Sequence, residues 1–161
     1  MSKRAEALAS RIEEGAAGLA SFAEGLSDAD WQKPVRGVRD GRSIGVVVHH
    51  VATVYPIEVQ LAQGIGAGQA VDVTWEVVNS LNGQHATEFS GTSRMAALDL
   101  LRRNSKAAAD AVRAFTDEQL DTAAPFGLAY GAPVTAQFVI EDHALRHSWH
   151  HLARIREAVG K

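Results

Sequence analysis

Apolar residues recur at helical spacing along most of this chain, between charged and small polar positions. In residues 4–25, Leu8, Ile12 and Leu19 fall on one side of a helix, which is the pattern of a helix that buries one face. The same spacing predicts a second helix over about 43–63, a helical region over about 74–115 that is interrupted near 90–92, and a last helix over about 133–158. No segment shows the alternation of a strand ladder. The pattern therefore predicts an all-α fold.

Capping residues mark the predicted ends of these helices. Ser27 and Thr116 each precede an acidic turn, and Trp31 is the apolar anchor of the first of these turns. Ser43 is the predicted N-cap of the second helix. Pro133 suits the first turn of the last helix. The N–H groups of a first turn have no partner within the helix, so the N–H that proline lacks is not missed there.

The second helix has a competing interpretation. Its Val46–Val48 run is β-branched, so a buried strand is the alternative. Length favours the helix, because the apolar pattern continues to Leu61, and Pro56 is expected to kink or divide it. Glycine and proline indicate loops over 32–42 and 64–73 on either side.

These elements predict four main helices in an antiparallel bundle, with a short extra helix or a break in the third helical region. A chain of 161 residues builds one core of useful size, so residues 1–161 are predicted to form a single domain. The net charge of −3 argues against a nucleic-acid surface. The polar N-terminus and the lack of a long uninterrupted apolar run predict a cytoplasmic protein without a membrane span. Cysteine is absent, so any metal must be held by His, Asp or Glu, and any thiol must come from another molecule.

Four of the seven histidines lie in the last predicted helix. At 100° per residue, His147 and His151 lie on or beside the buried face of that helix, whereas His143 and His150 turn about 40–60° away on the other side. The i, i+4 spacing of the inward pair brings two imidazoles together, as a shared metal ion requires. The alternative is a pair of core histidines that hydrogen-bond to the backbone or to each other.

The second helix supplies a third inward histidine. His50 lies at the margin of its buried face, and His49 points about 100° further out, toward solvent or a partner. His50, His147 and His151 form a set that suits Zn²⁺, Ni²⁺, Mn²⁺ or Fe²⁺ and leaves coordination positions open, as in catalytic sites.

Four further residues are interpreted one by one. Glu58 shares the inward face of the second helix but lies about 12 Å along it from His50, so we expect an outer acceptor or base rather than a metal ligand. A buried carboxylate paired with an arginine is the alternative. His85 is predicted to be a surface or capping residue, and the Trp31 and Trp149 rings are predicted to be packing anchors.

Residues 40–52 (DGRSIGVVVHHVA) and 147–155 (HSWHHLARI) resemble the DinB-like superfamily, which includes the N-terminal domains of mycothiol-dependent maleylpyruvate isomerases. The first segment looks like that family's second helix and the second like its last helix, with His-x-x-x-His. The resemblance implies a four-helix bundle with a divalent metal held by three histidines, which correspond here to His50, His147 and His151. It also implies a thiol-dependent transferase or isomerase that uses a low-molecular-weight thiol.

The leading hypothesis is therefore an enzyme whose metal lowers the pKa of such a thiol and presents the thiolate to a small electrophilic substrate. Arg42, Arg146 and Arg154 are candidates to hold the polar groups of the thiol. In a related alternative the metal activates water for hydrolysis. Another is a non-catalytic module that binds a metal or an apolar ligand, pairs as a homodimer or acts with a partner in a stress response. A third is a structural bundle whose histidines only stabilise the core.

Overall fold

The computed structural model describes residues 2–36 and 41–161. Residues 37–40 of the predicted 32–42 loop lie outside the described part. The helices in chain order are α1 (Lys3–Glu24), α2 (Asp28–Trp31), α3 (Ile44–Gly66), α4 (Trp75–Glu88), α5 (Arg94–Arg113), α6 (Asp117–Asp121), α7 (Ala136–Val139), a π turn (Ile140–Leu145) and α8 (Arg146–Val159). The last three follow one another without a break, and residues 136–159 are called the C-terminal helix below. The prediction of an all-α four-helix bundle is confirmed, with α1, α3, α5 and the C-terminal helix as its members.

The bundle is not simply antiparallel, which corrects the predicted arrangement. α1 packs against α5 and the C-terminal helix, and α3 packs against the same two helices. Arg113 near the end of α5 pairs with Glu6 near the start of α1, so these two run in opposite directions. Gly66 at the end of α3 packs beside Phe115, just after α5, so α3 and α5 run in the same direction.

The C-terminal helix completes this mixed arrangement. It runs parallel to α1, since Gly15 packs beside Trp149 and Phe22 beside Arg156. It runs antiparallel to α3, because Gly66 also packs beside Ala136, at the start of the C-terminal helix. Periodicity within one helix identifies its buried face but not the direction of its neighbours, and for this reason the sequence did not reveal the two parallel pairs.

Two parallel helices that follow one another in sequence need a connection that returns along their length. α4 is this connection between α3 and α5. Residues 89–93, between α4 and α5, are not helical, which is close to the predicted interruption. None of the 14 residues of α4, all of which the structure describes, is fully buried. α4 therefore lies on the outside of the bundle, against α3.

α3 is the central element of the site, and the helical interpretation of its valine run is correct. The Ser43 hydroxyl accepts a hydrogen bond from the Val46 N–H and so caps the helix as predicted. The helix continues through Pro56. Pro56 has no N–H for the Ala52 carbonyl four residues earlier, and the Asn104 side-chain amide donates to that carbonyl at 2.8 Å instead. By length and composition alone α3 could cross a membrane, with a mean hydropathy of 1.2, but 67% of that stretch is buried in the bundle.

The predicted turn anchors are partly confirmed. Ser27 caps α2, and Trp31 is buried against Gly45. Thr116 caps α6 in a reciprocal capping box with Gln119. Trp149, in contrast, keeps 45% of its surface exposed while its ring covers Gly15, so it is only partly a packing anchor.

The last helix begins a few residues later than predicted, because a short strand pair precedes it. Ala123–Pro125 and Pro133–Thr135 form a short antiparallel pair, so Pro133 lies in a strand. Thr135 caps the C-terminal helix, which begins at Ala136. Pro133 is tolerated because a two-stranded sheet has only edge strands, where a missing N–H costs little.

Candidate metal centre

Three histidines from two helices meet in the interior of the bundle. One ring nitrogen from each of His50, His147 and His151 lies within 4.8 Å of the other two. His50 comes from α3, and the other two come from successive turns of α8. The ring centroids are 5.1 Å apart for His50 and His147, 5.7 Å for His50 and His151, and 4.8 Å for the α8 pair. These are the three residues that helical phase selected, and we call them the three-histidine cluster.

Two of the three histidines are held in the protonation state that metal ligation requires. His50 and His151 are buried, and burial is the main cause that places the pKa of each well below the usual 6.5. Electrostatic interactions with the neighbouring His147 and with the Arg42 guanidinium lower the pKa of both rings further. Imidazole binds a metal only when it is neutral, so both rings are ready to act as ligands at pH 7.

Glu58 orients the third histidine. Its carboxylate is buried, with 5% of the residue exposed, and it accepts a hydrogen bond from Nδ1 of His147. A proton on Nδ1 leaves Nε2 as the ring's lone-pair nitrogen, and this Nε2 lies 3.2 Å from Nε2 of His50. This arrangement of carboxylate, histidine and ligand atom is the usual second layer of a metal site. The expectation that Glu58 is an outer acceptor agrees with this geometry, and its partner is a histidine rather than an arginine.

The donor set and the unused polar atoms both fit a divalent metal. Within the part of the chain that the structure describes, Nδ1 of His151 and Oε2 of Glu58 are buried without a hydrogen-bond partner. Buried polar atoms without partners are costly, and a metal with its associated water or substrate would give such atoms partners. Three imidazoles also leave one or more coordination positions open. The His50–His147 contact alone would satisfy the alternative of core hydrogen bonding for two rings but not for His151.

His143 does not point away from the site as predicted. Its side chain is 15% exposed, packs edge-on against Phe126 and lines the cavity beside the three-histidine cluster. The cause is the π turn, in which each bond spans five residues instead of four. The turn winds the chain less per residue, so His143 rotates toward the inward side relative to His147. Burial lowers the pKa of His143. His150 is exposed, as predicted, and lies at the rim of the cavity.

His49 and His85 were also misplaced by sequence reasoning. His49 is buried rather than solvent-facing, and its Nδ1 lies 2.9 Å from Nε2 of His85. The His49 ring stacks on Phe89, just after α4, at 4.1 Å between centroids. The sequence marked α4 as a helix, but nothing in it showed that α4 returns along α3 and covers His49. His85 therefore joins α4 to α3 instead of lying at the surface.

One buried polar pair near the cluster carried no signal in the sequence. The Tyr55 hydroxyl and the Ser148 hydroxyl are 2.5 Å apart in the core between α3 and α8. Burial raises the pKa of Tyr55, so the phenol stays neutral. The pair joins the two helices that supply the histidines and helps to fix their spacing.

A cavity of about 270 Å³ opens beside the three-histidine cluster. Its walls come from α3, α4, the loop around Leu128 and the C-terminal helix, and Arg42 and Arg146 lie among its lining residues. The volume is suited to a small molecule, and the histidines lie where such a molecule would reach a metal.

Fold and site together define a four-helix bundle whose second and last main helices bring three histidines to one cavity. The chain belongs to the DinB superfamily, whose family model matches residues 11–155. Among curated proteins, none matches the sequence significantly.

Two solved structures share the fold. One is YfiT from Bacillus subtilis, described as a probable metal-dependent hydrolase with an unusual four-helix bundle topology; it is 21% identical, with a TM-score of 0.75 over 99% of this chain and 89% of that protein. The other is a mycothiol-dependent maleylpyruvate isomerase, which is 15% identical, with a TM-score of 0.70 over 96% of this chain. This chain covers 63% of that isomerase. At these identities the likeness establishes the fold.

Proposed function

We propose that the three-histidine cluster binds a divalent metal, one of Zn²⁺, Ni²⁺, Mn²⁺ or Fe²⁺, and that the protein is a thiol-dependent transferase or isomerase for a small electrophilic substrate. The observation that carries the proposal is the convergence of three ring nitrogens within 4.8 Å beside an accessible cavity. A divalent ion bound there supplies positive charge that lowers the pKa of a thiol or a water molecule.

The residues of the chain have distinct tasks in this proposal. His50 and His151 are kept neutral by burial, and Glu58 fixes the tautomer of His147 so that its Nε2 faces the cluster. Arg42 brings a positive charge close enough to act on both buried imidazoles, where it also favours an anionic sulfur or oxygen. These groups bind and orient the reactants, and the buried setting limits the access of water.

The thiol in this proposal is a separate small molecule. The chain has no cysteine, so the sulfur must come from a separate molecule. The isomerase that shares the fold is mycothiol-dependent, and this supports a thiol here. Hydrolysis is the second candidate, because YfiT is described as a probable metal-dependent hydrolase and covers nearly the whole chain.

A turnover assay separates the two candidates. The purified protein is first analysed for its metal content. The metal-loaded protein and a chelator-treated sample are then given an electrophile with mycothiol, bacillithiol or glutathione, and separately an ester or amide with water alone. Metal-dependent conjugation or isomerisation with one thiol supports the first candidate. Metal-dependent hydrolysis without a thiol replaces it with the second.

The absence of both activities in a protein that retains its metal would favour a non-catalytic binding module, which could also act as a homodimer. A protein that purifies without metal, and whose stability does not change in chelator, would favour a purely structural role for the histidines. The cytoplasmic location and the homodimer stay predictions.

A further inference from the structure

The cavity beside the three-histidine cluster is an elongated groove along α3. Val54, Ile57 and Leu61 line it together with His50. These positions follow His50 by four, seven and eleven residues, so they lie on the same face of α3. At 1.5 Å per residue, the groove extends about 16 Å along the helix from His50 to Leu61.

The opposite wall is also apolar at the end remote from the histidines. Trp75 and Val78 of α4 line the groove with Leu128. Nε1 of Trp75 donates a hydrogen bond to the Leu128 carbonyl at 3.0 Å, which holds the indole at that end. α4 runs in the opposite direction to α3, since His85 near its end contacts His49 near the start of α3. The walls that come from α3 and α4 are therefore apolar at the Trp75 end, whereas the C-terminal helix lines the groove with Asp142, His143 and Arg146.

The charges around the groove favour an anion beside the histidines once a divalent ion is bound there. The charged lining residues are two arginines and two carboxylates, which sum to zero: Arg42, Arg146, Glu58 and Asp142. A divalent ion on the histidines raises the sum to about +2, in a site with low-dielectric walls. Glu58 accepts a hydrogen bond from His147 through one of its oxygens, and Asp142 pairs with Arg146, so each carboxylate has one partner. An anionic group next to the histidines would then be attracted to the metal and to Arg42.

We propose that this groove binds an amphiphilic acid: its anionic head lies at the three-histidine cluster and Arg42, and its alkyl or aryl body lies along α3 toward Trp75. This assignment rests on the proposed metal function for its head group and on the apolar walls for its body. In a thiol-dependent reaction the groove would hold the electrophile, because the sugar-rich or peptidic thiols have no apolar body to fill it.

The test is a binding series with simple acids. Acetate, butyrate, hexanoate and octanoate are titrated by calorimetry into zinc-loaded protein and into metal-free protein, with octanamide as the uncharged counterpart of octanoate. We expect the affinity to rise by up to about fourfold for each added methylene. We also expect octanoate to bind the zinc-loaded protein at least about tenfold more tightly than octanamide, because the amide lacks the charge.

A matched pair of variants locates the binding site. Ile57 in the groove and Val77 on the outer side of α4 are both 48% exposed, so neither substitution disturbs the core. Ile57→Asn should weaken octanoate binding by about fivefold to tenfold and leave acetate unchanged, because it removes apolar contact with the body only. Val77→Asn should leave both affinities unchanged. Circular dichroism checks that the two variants are folded.

Three results would overturn the assignment: an affinity that does not depend on chain length, equal losses in the two variants, or equal binding of octanoate and octanamide to zinc-loaded protein. If the protein retains no zinc, the proposed metal function fails. The groove is then judged on the chain-length series and the variant pair in metal-free protein. The two failures are therefore distinguishable.

Discussion

Replacing Glu58 with Gln removes the charge from the buried carboxylate that orients His147 while keeping the shape of the side chain. The Gln oxygen can still accept the hydrogen bond from Nδ1 of His147, so the geometry of the ring persists. The substitution removes the extra strength that the negative charge of the carboxylate gives to this hydrogen bond. A hydrogen bond to a charged group contributes about 1.5–3 kcal/mol and a neutral one about 0.5–1.5 kcal/mol, so the expected loss is about 1–1.5 kcal/mol.

That loss should appear as weaker metal binding. A metal on Nε2 makes the Nδ1–H of the same ring a stronger donor, so the bond to the carboxylate strengthens when metal binds. We expect Glu58→Gln to raise the dissociation constant for Zn²⁺ about tenfold, since 1.4 kcal/mol corresponds to a factor of ten. Glu58→Ala should approach about a hundredfold, because it leaves Nδ1 of His147 without its partner.

The assay is a competition titration of Zn²⁺ against a chromophoric chelator at pH 7, with thermal unfolding to confirm that each variant is folded. Glu157→Gln is the control, since it removes the same charge from an exposed position on the helix that carries His147. A zinc affinity that is unchanged in both Glu58 variants would refute the assignment of this carboxylate to the orientation of His147. Equal weakening by Glu157→Gln would mean that only net charge matters.

Further outcomes follow from the site and the core. His151→Ala should abolish metal retention, measured by elemental analysis, whereas His143→Ala should leave it intact; equal loss from both would refute the face assignment. Without metal, the free energy of unfolding should be highest above pH 6.5 and should decrease below it. The reason is that the buried imidazoles have lowered pKa values, so the unfolded chain takes up protons first as the pH falls. Chemical denaturation at pH 7.5 and 5.5 should show the decrease, and an equal free energy of unfolding at both pH values would contradict it. Asn104→Ala should lower the free energy of unfolding by about 1–3 kcal/mol by leaving the carbonyl opposite Pro56 unpaired. Gly45→Ala should lower the free energy of unfolding by about 1–3 kcal/mol, because the new Cβ would lie 2.5 Å from the Trp31 indole. Gly18→Ala is the matched control. The nearest atom to its Cβ is 3.7 Å away, so this substitution should be neutral or slightly stabilising.

Helical phase was sufficient to select the three-histidine cluster because His50, His147 and His151 all lie in regular α-helix. It failed for His143, which lies within the π turn that precedes His147 and His151 and that changes the helical phase. No pattern in the sequence predicts that turn. The outward placement of His49 failed for a different reason: the phase was correct for its own helix, but α4 covers that side of α3.

Glu58 shows a limit of arguing within one helix. Its distance from His50 along α3 predicted an outer acceptor or base rather than a metal ligand, but did not identify the group that it contacts. Its actual partner is His147 on the antiparallel neighbour, whose position depends on how two helices pack. The same limit applies to the bundle as a whole, since the faces of the helices were predictable but their directions were not.

The histidines and the opposite wall of the groove come from different helices, and this affects how the site can change between related sequences. The histidines stand on two helices that also build the core, and most substitutions there would cost stability. α4 forms the opposite wall of the groove without a single fully buried residue, so its inward positions can change at little cost to the fold. Substitutions in this one connection can therefore alter which molecules the cavity accepts while the three-histidine cluster stays the same.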